Sequence, residues 1–185
     1  MPRSAPRPDR LPGDPPPETE LARMLRVNHA GEYGAQRIYA GQLAVLGDSE
    51  HGDTLRHMQD QETAHLAYFD KALPERRVRP TLLHPFWHVA GYALGAATAM
   101  LGPRAAMACT VAVEETIDDH YAEQLAVLGD DEAELRDAIA QFRDEELEHR
   151  DIGLANEAEQ APAYRALSGV IKAGCRAAIW ASKRL

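Results

Sequence analysis

Ten residues from Tyr39 to Asp48, YAGQLAVLGD, recur from Tyr121 to Asp130 as YAEQLAVLGD, with Glu123 in place of Gly41 as the one change. A chain that repeats itself builds its fold from two copies of one supersecondary unit, so the repeat constrains the architecture more than any isolated motif. The copying reaches beyond the ten residues. Glu32 stands seven positions before Tyr39, and Glu114 seven before Tyr121. Downstream, QETAH supplies Glu62 and His65, and EELEH supplies Glu146 and His149. Each unit carries Glu-x6-Tyr and then Glu-x2-His.

The periodicity around these residues is helical. Apolar spacing from Pro17 to Gly47 predicts a helix with Thr19 as its N-cap, and a second helix ending before Pro74. Further helices are predicted over 104–128, from Asp131 to about Ala155, and after Pro162. Alternating apolar runs and tight hairpin dipeptides are missing, so the class is all-α. Residues 1–17 hold seven of the twelve prolines and read as an extended, disordered tail, leaving 18–185 as a single domain.

Helix geometry explains the spacings. Seven residues are nearly two turns, so each Glu shares a face with its Tyr, and an i, i+3 Glu–His pair converges on one point. Gly47 lies midway between Glu32 and Glu62, and Asp130 midway between Glu114 and Glu146. Two helix hairpins folded there, and packed about a pseudo-twofold axis, collect four glutamates and two histidines in the bundle centre. Their charge of −4 is prohibitive when buried alone, and two divalent cations cancel it. Oxygen and imidazole donors without thiolate suit iron, with manganese or zinc as alternatives. The expected ligands are Glu32, Glu62, His65, Glu114, Glu146 and His149, a pattern shared with dimetal carboxylate bundles. Tyr39 and Tyr121 either fill the core or hold a ligand carboxylate or imidazole in place. Glu115, Glu145 and Glu148 neighbour ligands in sequence but point elsewhere on their helices, toward solvent or toward the ligands' outer edge. Gly31 and Gly34 flank Glu32 and are expected to clear space beside one metal for oxygen or substrate.

Charge is distributed unevenly. The net charge of −9 excludes a general nucleic-acid binder, yet 161–185 holds five basic residues and no acidic one. Cys109 and Cys175 form no metal or redox motif and read as buried packing in a reducing cytoplasm; the N-terminus lacks the apolar core of a secretory signal. The stretch 80–103 contains no Asp, Glu, Lys or Arg. It is long enough to span a bilayer, but Pro85, His84, His88, Gly91 and Gly95 make an interfacial helix the favoured reading over a span or a core helix. Residues 162–185 read as a companion basic amphipathic helix, with Trp180 at the interface.

The segments RMLRVNHAGEYGAQRIYAGQLAVL, ACTVAVEE, FRDEELEHRDIGL and APAYRALSGVIKAGCRAAIW closely resemble the demethoxyubiquinone hydroxylase family, di-iron monooxygenases of ubiquinone biosynthesis. The resemblance spans 21–185 and implies a ferritin-like four-helix bundle of two repeated hairpins, with the interfacial crossover helix and the C-terminal amphipathic helix added. It implies the same six ligands, choosing Glu114 over Glu115, as the repeat register does. The Asp-Glu-x-Arg-His signature of some soluble di-iron enzymes is absent, because Gln61 and Glu145 occupy its Asp position. The activity implied is ring hydroxylation of demethoxyubiquinol with O2, two iron ions and an external reductant, NADH. The implied partners are a membrane-borne polyprenyl quinone, the membrane surface at the cytoplasmic face of a bacterial inner membrane, a second copy of the chain and an accessory lipid-binding protein of the pathway. The rival readings are a ferritin-like peroxide reductase or iron oxidase, and a non-catalytic lipid-binding scaffold with a structural metal pair.

Overall fold

The computed structural model describes residues 17–185, so all of the expected proline-rich tail except Pro17 lies outside the described residues. Six α-helices follow: α1 Pro17–Leu46, α2 Gly52–Glu75, α3 His84–Met100, α4 Pro103–Leu125, α5 Ala133–Ala155 and α6 Tyr164–Ser182. Two single 3-10 turns lie between α4 and α6, and no strand occurs among the described residues. The chain is all-α.

Several helix ends differ from the sequence reading: α4 stops at Leu125 rather than at 128, and α5 opens at Ala133, after a single 3-10 turn, rather than at Asp131. Pro17 opens α1, because its fixed φ suits the first helical position and its missing N–H costs nothing there. Thr19 therefore sits inside the first turn and is no N-cap. Pro74 lies inside α2, which runs on to Glu75. A proline one residue from the end forfeits a single ladder bond, and the close comes afterwards: Arg77 adopts φ 56°, its N–H reaches the Pro74 carbonyl at 3.1 Å, and Val78 N–H reaches Leu73 at 2.8 Å.

The duplication governs the packing. The hairpins α1/α2 and α4/α5 form the four-helix bundle, with turns where the sequence midpoints place them. α3 then packs back on α1, and α6 packs back on α4. Each unit thus has three helices, of which the quoted repeat marks only the first. α3 covers His84–Met100 within the uncharged stretch 80–103, and α6 covers Tyr164–Ser182 within 162–185. Among the described residues no helix is long and apolar enough to cross a membrane.

The α1–α3 seam accounts for the one difference in the repeat. A Cβ at Gly41 would collide with the carbonyl oxygen of Tyr92, and one at Gly95 with that of Ile38. A Cβ at Gly91 would lie 2.9 Å from the Gly34 oxygen. The two backbones touch, and Gly41 is the α1 glycine that, with Gly91 and Gly95 of α3, lets them. Its counterpart Glu123 faces solvent on α4.

Two apolar clusters fill the bundle ends. One joins Tyr39, Leu55, Met58, Met107 and Val111; the other joins Leu25, Phe69, Tyr121, Leu135, Ile139 and Phe142. Each fully buried Leu, Ile, Met or Phe stabilises the fold by roughly 1.5–3 kcal/mol. That burial on both sides offsets a polar centre, since Glu62 and His65 lie between Met58 and Phe69 along α2.

Candidate metal centre

The six residues singled out by the repeat meet in the bundle centre. Glu32 comes from α1, Glu62 and His65 from α2, Glu114 from α4, and Glu146 and His149 from α5. All six are at most 1% exposed. They form two overlapping groups, Glu32/Glu62/His65/Glu146 and Glu62/Glu114/Glu146/His149, whose potential donor atoms lie within 4.8 Å of one another. Glu62 and Glu146 belong to both groups.

Both imidazoles turn Nδ1 inward. His65 Nδ1 lies 3.3 Å from Glu32 Oε2 and 3.2 Å from Glu146 Oε1. His149 Nδ1 lies 3.1 Å from Glu146 Oε2 and 3.4 Å from Glu62 Oε1. Many polar atoms here are buried without a hydrogen-bond partner: both Glu62 oxygens, Glu32 Oε2, Glu114 Oε2, Glu146 Oε1 and His65 Nδ1. Orphaned buried groups each cost about 1–3 kcal/mol, more when charged. Cations set between them satisfy all of these atoms at once, so the residues fit a pair of divalent ions.

Without cations the cluster keeps its protons. Burial and then the charge of Glu146 push the carboxyls of Glu62 and Glu114 well above the usual range. Burial opposes ionisation of Glu146 as well, but the close approach of the His149 and His65 imidazoles outweighs it and holds that carboxyl low. Burial pushes the His65 imidazole down, but its contacts with Glu146 and Glu32 outweigh that and raise it. Metal entry must therefore displace protons from carboxyls and imidazole.

The tyrosines act across the bundle. Tyr39 donates to Glu114 Oε1 at 3.0 Å, and Tyr121 donates to Glu32 Oε1. Burial, and then the charge of Glu114 on Tyr39 or of Glu32 on Tyr121, raises both phenols, which stay protonated and donate. Sequence reasoning left open whether they only fill space; each in fact holds a glutamate of the opposite unit.

Gln61 and Glu145 are the residues whose role sequence spacing could not show. Gln61 Oε1 accepts from His149 Nε2 at 2.9 Å, and Glu145 Oε2 accepts from His65 Nε2 at 2.6 Å. Each sits one position before a glutamate of its own unit and reaches the histidine of the other. Glu115 points away as expected and pairs with Lys172 of α6.

Beside the cluster runs an apolar groove of about 350 Å³ between α3 and α6, floored by α1 and α4. Its lining includes Gly31, Gly34, Trp87, Leu94, Val113 and Ile179, and no charged residue. Gly31 and Val113 are the chain neighbours of Glu32 and Glu114, so the groove floor adjoins the polar centre. Nothing lies within 4 Å of where a Cβ on Gly31 or Gly34 would stand, so these glycines leave open space as expected.

The family described as ubiquinone biosynthesis protein COQ7 matches residues 19–182. The chain belongs to the COQ7 family. It is 63% identical over 178 residues to the 3-demethoxyubiquinol 3-hydroxylase of Rhodospirillum rubrum, covering 96% of this chain and 84% of the relative. It is 56% identical over 167 residues to the human mitochondrial NADPH-dependent 3-demethoxyubiquinone 3-hydroxylase, covering 88% and 77%. The mitochondrial 5-demethoxyubiquinone hydroxylase of Saccharomyces cerevisiae is 41% identical over 182 residues, with 89% and 78% covered. These COQ7-family relatives cover nearly all of the helical part of the chain, both halves of the duplication included.

Proposed function

We infer that this chain hydroxylates the ring of demethoxyubiquinol with O2 in ubiquinone biosynthesis; its relatives are named 3-demethoxyubiquinol and 3-demethoxyubiquinone 3-hydroxylases, and its family is described as a ubiquinone biosynthesis protein. The observation that carries the reading is the adjacency of a buried four-glutamate, two-histidine centre and an uncharged groove. Glu32, Glu62, His65, Glu114, Glu146 and His149 hold two iron ions, which supply the reduction of O2 when bound. The chain's own contribution is positioning and exclusion of water. Tyr39 and Tyr121 fix Glu114 and Glu32, while Gln61 and Glu145 fix the imidazoles. The groove takes the apolar substrate, with the ring on the floor beside Gly31 and Gly34. A ferritin-like peroxide reductase or an iron oxidase has no use for such a groove.

One oxygen atom enters a ring C–H bond and the other leaves as water, so two electrons come from outside. The human and bovine relatives are named NADPH-dependent; a reduced nicotinamide is the reductant proposed, with NADH and NADPH to be compared directly. The groove opens among exposed apolar side chains, Phe86 and Val89 of α3 and Val170 and Trp180 of α6. Arg184 stacks on the Trp180 ring, 4.2 Å from its centroid. This face lies on the surface of the membrane that stores the quinone, the inner membrane on its cytoplasmic side in a bacterium. A second copy or an accessory lipid-binding protein would dock on the same face.

The test is anaerobic loading with Fe(II), then O2, reduced nicotinamide and demethoxyubiquinol in lipid nanodiscs, with product read by mass spectrometry. Hydroxylated quinol at one turnover or more per chain is expected, and none from Glu62→Ala. Iron oxidation or peroxide consumption without any hydroxylated product would overturn the reading.

A further inference from the structure

The duplication places matching ligand and donor residues around the centre, but one matched pair differs in charge. Glu32 matches Glu114, each accepting from a tyrosine of the other unit, and Glu62 matches Glu146. His65 matches His149, with Nδ1 inward on both. Gln61 and Glu145 also match in position, and each accepts from an outward Nε2 of the opposite unit. There the charges differ: His149 is backed by a neutral amide and His65 by a carboxylate. Glu145 is held in place by Gln141, whose Nε2 donates to its second oxygen at 2.9 Å.

An imidazole that donates to a carboxylate gains imidazolate character and becomes a stronger donor through its other nitrogen; one that donates to an amide gains much less. Glu145 also adds a negative charge beside one end of the centre, only a quarter exposed to solvent. We propose that Glu145 and Gln61 make the two metal positions inequivalent, so that a divalent cation fills the Glu32/Glu62/His65/Glu146 position first and the His149 position second. Glu145 is thus a positioning residue that acts through His65. The inference rests on the metal-centre reading given under Proposed function and deepens it.

The consequence is sequential loading. Partners behind a ligating histidine change metal affinity by about 10- to 100-fold, which sets the expected separation of the two binding steps. It also means that a chain with one equivalent of metal carries it at a defined position. The inequivalence traces to the one pair of side chains that the two outward Nε2 atoms meet, Glu145 and Gln61.

The experiment is anaerobic titration of the metal-free full-length chain with Co(II), followed by calorimetry and by visible absorption of the bound ion. Wild type should bind two ions in steps separated about 10- to 100-fold. Glu145→Gln should weaken the first step by a similar factor, leave the second in place and merge the two. Gln61→Glu should strengthen the second step, a gain of function that an unfolded variant cannot mimic. His149→Ala should retain the tighter step and His65→Ala the weaker. Two equal steps in wild type, or equal weakening of both steps in Glu145→Gln, would overturn the inference while leaving the metal centre intact. No cation bound by wild type would sink the metal-centre reading, and the inference falls with it.

Discussion

The Tyr39 hydroxyl donates to Glu114 Oε1 across the bundle at 3.0 Å, binding a residue 75 positions away rather than the glutamate on its own helix face. Tyr121 and Glu32 repeat the relationship in the opposite sense. The two units therefore interlock through their tyrosines at the centre. Tyr39→Phe keeps the volume and removes only the donor, leaving Glu114 free to rotate. Metal affinity should fall by about 10-fold or more, while unfolding free energy changes by only ~1–2 kcal/mol. Competition with a chelator for Fe(II) reads the first and urea unfolding the second; unchanged affinity would mean that the ring only fills space.

Gly34 tests the groove. Its absent side chain leaves space on the groove floor, two residues along α1 from Glu32, and nothing stands within 4 Å of the position of a Cβ. Gly34→Leu should fill that space with four carbons. Quinol hydroxylation should drop at least about 10-fold, with iron content unaltered, since fitting or losing a few methylenes in such a site is worth ~1–3 kcal/mol. Turnover equal to wild type at equal iron would place the substrate elsewhere.

How far the sequence reached depends on whether a signal is local. The six centre residues were legible because helical spacing and a duplicated register are written along the chain, and the structure brings all six together. The hairpin turns near Gly47 and Asp130 were legible for the same reason. The end of α2 was not: Pro74 signals a stop, but the stop is made by Arg77 in a left-handed conformation, which no glycine announces. Gln61 and Glu145 were noted as departures from a known signature, yet their partners lie on the opposite hairpin, and only tertiary packing reveals them. The return of α6 onto α4, matching α3 on α1, was hidden because α3 and α6 share an architectural role without sharing a sequence.

The glycine seam between α1 and α3 makes a stability prediction with an internal control. Ala at position 95 would drive its Cβ into the Ile38 carbonyl, so the helices must separate. Gly95→Ala should lose ~1–3 kcal/mol as overpacking, despite the better helix propensity of alanine. Gly169 lies in the interior of α6 with nothing within 4 Å of an added Cβ. Gly169→Ala should gain about 0.5–1 kcal/mol from propensity alone. Chemical denaturation of both variants checks the pair, and a gain in both would mean that the seam is slack.

His120 gives the chain a pH dependence that the metal centre does not control. It lies near the end of α4 with Nε2 buried and without a hydrogen-bond partner. Burial, reinforced by the charge of Lys183, holds its imidazole down at about 4. In the unfolded chain the same group titrates near ~6.5. Between those values the unfolded state takes up a proton that the native state refuses, so stability must fall as pH drops from about 6.5 toward 4 and recover as it rises. The loss attributable to this one residue is at most ~3 kcal/mol. His120→Gln removes the proton site, so the metal-free variant should lose less stability than metal-free wild type between pH 7.5 and pH 5. Urea unfolding at both values reads the difference; parallel losses in the two proteins would show that His120 is already protonated in the native state.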